Sequence, residues 1–411
     1  MIKKISNINN WLSLILLPLG ILFLISIIIL KPFIIIRFGP ITSYRFGHYI
    51  KNIEQYLCDK KLNSEDFSNS INIFFLSTIT CNSFLEGMCK RKLIIVPFQF
   101  LNLIHIIAKK ISKNFNFMKK HLFDLRIYDH DRKNLLDKVD CQLKFTQKEI
   151  ELGDRLLEKF GIKKNDKIVC FSNRDDEFMK KNLLGKYNEN HKWNIRNSDV
   201  QTYGLAAKEL SKRGYTVIRM GKDTKDNINF GNEKIIDYSK SKLRSDFLDI
   251  YLAYRCEFAF GDSSGWSVAP MTFRKYFAFV NWVPFSELHY YSKKYLFIFK
   301  HYYDEKSKKK LNINEIFERK LHNKLSQELK EKKITLIDNS PEEILELVLE
   351  AESKYTGKFK YTDEYISINN NFKKFLIRNN FLKEGFNNTF ELTSNSGFKF
   401  LNSNFDQANS S

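Results

Sequence analysis

Apolar positions along the chain follow two periods, and the switches between them mark out its elements. Short β-branched and aromatic runs read as strands, and stretches with apolar residues three and four apart read as helices. A first series gives strands at 32–38, 71–76 and 93–96, with helices at 47–57, 83–90 and 100–111. The charged, weakly periodic stretch 113–141 reads as a connection between domains. A second series opens at Thr146, which has capping-box spacing to Glu149, with Gly161 suited to the helix exit. Strands follow at 167–171, 216–219, 234–236, 258–260 and 276–281, separated by helices at 198–213, 245–255 and 264–273. Ser340, with Pro341, Glu342 and Glu343 behind it, starts a further helix. Strands alternating with helices predict an α/β protein with parallel sheets and crossover helices.

Before this series lies an uncharged stretch, 11–30, which is long enough to cross a bilayer. Pro18 and Gly20 within it can instead make it re-entrant. Lys3 and Lys4 before it and the basic residues after it pull its orientation in opposite senses. The expected organisation is a membrane segment at 1–31, an N-terminal domain at 32–140 and a C-terminal domain at 141–360. A polar extension covers 361–411, its last ten or so residues disordered.

A length of 411 residues with 43% hydrophobic content can supply two cores. The 67 Lys and Arg against 47 Asp and Glu leave a formal charge of +20, which favours anionic partners. Part of that charge reflects a composition rich in Lys, Asn, Ile and Phe together, as an AT-rich genome gives. No nucleic-acid recognition motif accompanies it, so a nucleic-acid partner is not expected. The six cysteines form no Cys-x-x-Cys pair and have no histidine at ligand spacing, which argues against a metal site. Cys170 and Cys256 lie beside apolar runs, as buried thiols of a reducing compartment do, so the body of the protein is expected in the cytoplasm.

In a doubly wound sheet, ligands bind beyond the carboxyl ends of the strands. Gly261-Asp262-Ser263-Ser264-Gly265 follows a strand and precedes a helix, where small residues admit a phosphate and hydroxyls add donors. The alternative is a helix cap without a ligand. Arg174 and Asp175 end another strand, Arg219 ends a third, and Arg244 stands before a helix; three arginines at loop ends can converge on one anion. In the first half, His48 and Asn52 fall one turn apart on a helix, so His48 reads either as a base toward an acceptor hydroxyl or as a structural ring. Asp129-His130-Asp131 has the form of a metal-chelating Asp-x-Asp but falls in the charged stretch, where a solvated loop is expected. The aromatic and basic run 282–303 reads as packing or as contact with headgroups or a base.

In series, several motifs resemble a family of bacterial glycosyltransferases encoded among surface-polysaccharide genes. They are Arg45-Phe46-Gly47-His48 with Asn52 and Glu54, Cys170-Phe171 with Arg174-Asp175, and Arg196-Asn197 with Asp199 and Tyr203. The series continues through 213–221, Asp237-Tyr238-Ser239, Arg244 to Asp249, Ser264-Gly265 and Asn281-Trp282-Val283-Pro284. The resemblance implies two Rossmann-like domains facing each other, the GT-B arrangement, with an acceptor-side first domain, a donor-binding second domain and no obligatory metal or cofactor. It implies a nucleotide-sugar donor and a lipid-linked or other glycan acceptor, beside which the N-terminal segment and the basic surface are expected to hold the enzyme at the membrane. Where the family pattern has His-Val, this chain has Ser172-Asn173, so Arg174 carries the expectation there. The implied site is His48 as base, with Arg45, Gly47 and Asn52 on the acceptor side. On the donor side it is Arg174, Asp175, Arg219, Arg244, Asp262, Ser263, Ser264 and Gly265. The competing expectation is a non-catalytic, membrane-tethered protein of the same fold that binds a nucleotide or glycan.

Overall fold

The computed structural model describes residues 15, 17–77, 79–182, 191–382 and 391–407. They form two compact units, 1–131 with 138–145, and 132–137 with 146–411.

The first unit runs α1 (Leu17–Leu30), β1 (Ile35–Ile41), α2 (Phe46–Leu62), β2 (Ser70–Leu76), α3 (Ser83–Lys90), β3 (Ile94–Val96) and α4 (Phe98–Asn114). Its strands pair in parallel in the order β1-β2-β3. Side chains alternate across a strand, so the sheet sorts them into two cores. Phe38 and Phe75 face Leu24 and Ile27 of α1 and Leu101 and Ile104 of α4. Phe74 points the other way, its ring 5.2 Å from Tyr56 of α2 and 5.7 Å from Phe123.

The C-terminal part of the expected membrane segment packs as a helix on the first sheet. The described helix has 14 residues, and Gly20, Leu24 and Ile27 are spaced so that one face is buried against the sheet. Gly20 permits the close approach of α4, since a Cβ there would lie 2.1 Å from Cδ1 of Ile104. No helix among the described residues is long and apolar enough to cross a membrane. A uniformly apolar helix is equally suited to a core, which composition alone cannot distinguish from a span. The remainder of the expected segment, residues 1–14 and 16, lies outside the described residues.

The charged stretch after α4 folds back on the first sheet. Phe38 N donates to His121 O at 2.8 Å and Phe123 N donates to Phe38 O at 3.0 Å. Tyr128 donates its hydroxyl to Asp59 at 2.8 Å, and the Glu54 carboxylate accepts from the backbone N–H groups of Gln142 and Leu143.

The second unit begins with α5 (Gln147–Glu158), whose Thr146–Glu149 capping box is formed. Then come β4 (Ile168–Ser172), α6 (Gly204–Lys212), β5 (Thr216–Met220), β6 (Ile235–Asp237), α7 (Asp246–Arg255), β7 (Phe258–Gly261), α8 (Val268–Thr272), β8 (Tyr276–Trp282) and β9 (Tyr295–Phe299). Seven of its described strands form one parallel sheet in the order β13-β9-β8-β7-β4-β5-β6, where β13 is Asn395–Ser396. From β4 the chain steps outward to β5 and β6, then returns to β4's other side with β7, β8 and β9. This is the doubly wound order of Rossmann-like folds, and its switch point lies between β4 and β7. Both strands are wholly buried, as expected for a sheet covered on both faces.

A small antiparallel sheet of β10 (His301–Asp304), β11 (Lys309–Leu311) and β12 (Ile334–Ile337) precedes α9 (Pro341–Tyr355), which carries the expected Ser340 cap and Pro341. The Asn- and Phe-rich tail is folded where it is described. α10 (Asp363–Arg378) buries Tyr365, Ile368, Phe372 and Phe375, and Phe405 packs on Phe372 and Phe375 at 5.2 and 5.3 Å. Its aromatic positions recur at helical spacing, which gives a polar stretch an apolar face. Residues 408–411 of the expected disordered end lie outside the described residues.

Candidate active site

The carboxyl ends of β4 and β7 lie side by side, with Ser172 in register with Gly261. Gly261 has φ 149°, and a Cβ on it would sit 2.1 Å from the Ser172 carbonyl oxygen, so only glycine lets the two strands end this closely. The next residue, Asp262, is fully buried. One of its oxygens accepts from the Arg174 backbone N–H at 2.5 Å and the Ser198 hydroxyl at 2.8 Å, while Oδ1 has no partner among the described residues. Burial pushes this carboxyl up to about 6, against the pull of those two bonds and of the Arg174 and Arg196 charges.

The expected loop Ser263-Ser264-Gly265 follows directly in the chain, but it does not open a helix. α8 starts only at Val268 and has five residues, so the loop gains no long helix dipole. Instead Ser264 Oγ lies 3.0 Å from Ser172 Oγ and 2.9 Å from Ser267 Oγ, a cluster of three hydroxyls at the switch point. Gly265 is exposed and Ser264 half-buried. Arg196, from the segment between β4 and α6, donates Nε to Ser263 Oγ at 2.7 Å and Nη2 to the Ser263 carbonyl. Arg174 donates Nε to Asn197 Oδ1 at 3.1 Å. Lys300, at the end of β9, donates Nζ to Asn197 O at 2.5 Å and pairs with Asp338 at 2.7 Å. Arg174, Arg196 and Lys300 thus share the Asn197–Ser263 neighbourhood.

The other two expected arginines do not join them. Arg219 is fully buried and is spent on Asn173 Oδ1, Asp226 O and Asp237. An arginine at a strand end looks the same in sequence whether it turns inward or outward. Arg244 pairs with Asp249 at 2.5 Å, and its Nε is buried without a partner among the described residues. Burial pushes Asp249 up to about 6 despite that pairing. Asp175 is a loop fastener, accepting from the backbone N–H groups of Glu177 and Lys225.

In the first unit, His48 stands in the opening turn of α2. Its Nδ1 is 2.8 Å from Asp129 Oδ1, which also accepts from Asn52 Nδ2 at 2.8 Å. Lys51 donates Nζ to the Asp129 carbonyl at 2.5 Å. Although burial raises the Asp129 carboxyl, the His48 and Asn52 bonds and the His48 and Lys51 charges hold it below the usual carboxylate range. A carboxylate on Nδ1 fixes the ring tautomer and leaves Nε2 as the proton acceptor. Nε2 takes no hydrogen bond from the described residues. Arg45, next to this helix, is exposed, its guanidinium 5.6 Å from the Tyr44 ring centroid, and Gly47 is half-buried. The Asp129 side chain is committed to His48 and Asn52 rather than left to solvent. Among the described residues no three His, Cys, Asp or Glu side chains are grouped to hold a metal ion.

No family model and no curated protein matches the chain. Among solved structures, a glycosyl transferase family 9 protein from Veillonella parvula overlays 64% of this chain and 85% of its own, with 11% identity and a TM-score of 0.38. The E. coli ADP-heptose lps heptosyltransferase II overlays 60% of this chain and 86% of its own, at 11% identity and a TM-score of 0.35. Likenesses this partial carry no argument about activity, and the fold rests on the strand order itself.

Proposed function

We propose that the chain is a glycosyltransferase that moves a sugar from a nucleotide-sugar donor to a lipid-linked or other glycan acceptor. The observation that supports this best is that motifs scattered over the sequence close into two hydrogen-bonded clusters. Arg174, Arg196, Asn197, Ser198 and Asp262–Ser264 interlock at the Rossmann switch point, and Asp129 fastens His48 and Asn52 of α2. In this reading the second unit holds the donor diphosphate through Arg174, Arg196, Lys300 and the serine hydroxyls. The acceptor oxygen attacks the anomeric carbon, the bond from that carbon to the diphosphate oxygen breaks, and the nucleoside diphosphate leaves with the electron pair. His48 Nε2 takes the acceptor proton, and Asp129 stabilises the imidazolium that results.

The test is release of nucleoside diphosphate from a panel of nucleotide sugars, with lipid-linked and soluble glycans as acceptors. Release that needs an acceptor and is lost in His48→Ala supports the transferase. A folded protein that binds a nucleotide sugar and never turns it over is instead a binding protein of this fold.

A further inference from the structure

The helix α1 has two apolar faces, and the fold uses one. Gly20, Leu24 and Ile27 are buried against the first sheet, while Leu22 is 59%, Ile29 67% and the following Phe33 83% exposed. α4 packs beside it with exposed Ile106, and the turn after α4 adds exposed Phe115 and Phe117 to the same unit. Ile28, Lys31, Pro32 and Phe117 line one shallow hollow, so the end of α1 and the turn after α4 form a continuous surface. Soluble proteins rarely leave so many large apolar side chains together in water.

The charges along these two segments of the chain are of one sign. The sequence holds no Asp or Glu before Glu54, and none between Pro97 and Phe123. Lys109, Lys110, Lys113, Lys119 and Lys120 are all exposed there. An apolar face edged mainly by lysines, with Asp124 near Lys109 but paired to Arg126, matches the boundary between acyl chains and anionic headgroups. A span fits less well. Turning the helix across the bilayer would strip Leu24 and Ile27 from the core they share with Phe38 and Leu101.

We infer that this α1–α4 face docks in the plane of an anionic lipid surface, as a monotopic attachment rather than a transmembrane one. The inference is independent of the reaction proposed above, because it uses none of the same residues. The experiment is flotation of the full chain, synthesised cell-free, with phosphatidylcholine vesicles containing or lacking phosphatidylglycerol. The wild type is expected to float with the phosphatidylglycerol vesicles and to be released from them by an alkaline carbonate wash. The double variant Leu22→Glu, Ile29→Glu is expected to bind at least about tenfold more weakly, since one leucine's worth of buried methylenes already supplies that factor. Lys113→Glu with Lys119→Glu and Lys120→Glu should lose the preference for phosphatidylglycerol. Both sets change exposed positions, and unchanged far-UV circular dichroism and melting confirm the fold. Several results would overturn the inference: no flotation of the wild type, flotation unaffected by either variant set, or retention through the carbonate wash. A lipid-free dimer that the Leu22 and Ile29 substitutions dissociate would also overturn it, because the face would then be covered by a second copy.

Discussion

Replacing Asp129 with Asn separates a catalytic His48 from a structural one. The carboxylate accepts from His48 Nδ1 and Asn52 Nδ2, both at 2.8 Å. The His48 and Asp129 side chains are about a third exposed, at 37% and 31%, so the pair contributes at most about 1 kcal/mol to stability. The catalytic consequence is far larger. An Asn amide can present its N–H₂ to Nδ1, which places the ring proton on Nε2 and removes the acceptor lone pair. General-base catalysis is worth about 10²–10⁴-fold, and kcat in Asp129→Asn should fall within that range. The KM for the donor should stay near the wild-type value, because no residue assigned to the diphosphate has changed. The assay is steady-state release of nucleoside diphosphate for wild type, Asp129→Asn, His48→Ala and the double variant. The double variant should be no slower than His48→Ala, as for groups acting as one unit. A kcat for Asp129→Asn within about threefold of wild type, from a protein with unchanged melting, would refute the role given to the pair.

Three further outcomes follow from the second unit. Arg196→Met should weaken donor binding by about tenfold or more in titration calorimetry while the protein stays folded, since a charge-assisted contact to a diphosphate is worth about 1.5–3 kcal/mol. Gly261→Ala should cost about 2–4 kcal/mol in urea unfolding, because the new methyl meets the Ser172 carbonyl oxygen, which cannot move without parting β4 from β7. For Asp262 the folded carboxyl titrates near 6 against an ordinary 3.8, so the folded state binds more protons in that window and its stability falls as pH rises from about 4 to about 6. Asp262→Asn removes that cost, so its stability relative to wild type should rise by up to about 3 kcal/mol between pH 4 and pH 7; a constant difference across that range would contradict the burial argument.

Much of the fold is legible in the sequence because buried parallel strands announce themselves as unbroken apolar runs. Ile168–Ser172, Thr216–Met220 and Phe258–Gly261 each lie within a residue or two of the expected strand. The Ser340 and Thr146 caps are equally legible, since capping needs particular residues at fixed spacing. The site is legible only where local chemistry defines it. Gly261–Gly265 could be found from small residues after a strand, but that the helix behind it starts only at Val268 and has five residues could not. Lys300 carries a usable signal that went unread, a lysine directly after the apolar run of β9 and only 5% exposed. Arg196 was legible as a motif but not as a ligand group. Asp129 could not be found locally, because its partner stands 81 positions earlier in the chain. The outward face of α1 had the opposite problem: hydropathy registers an apolar helix and cannot say which side the core has taken.

The central claim is that the switch point between β4 and β7 binds the diphosphate of a nucleotide-sugar donor. Titration calorimetry of the full chain against nucleoside diphosphates and their sugar conjugates tests it most directly, with Arg174→Ala and Arg196→Met measured beside the wild type. The account predicts saturable binding of at least one nucleotide, weakened by about tenfold or more in each variant. A folded wild type that binds none of them, or one whose binding is untouched by both substitutions, would contradict it.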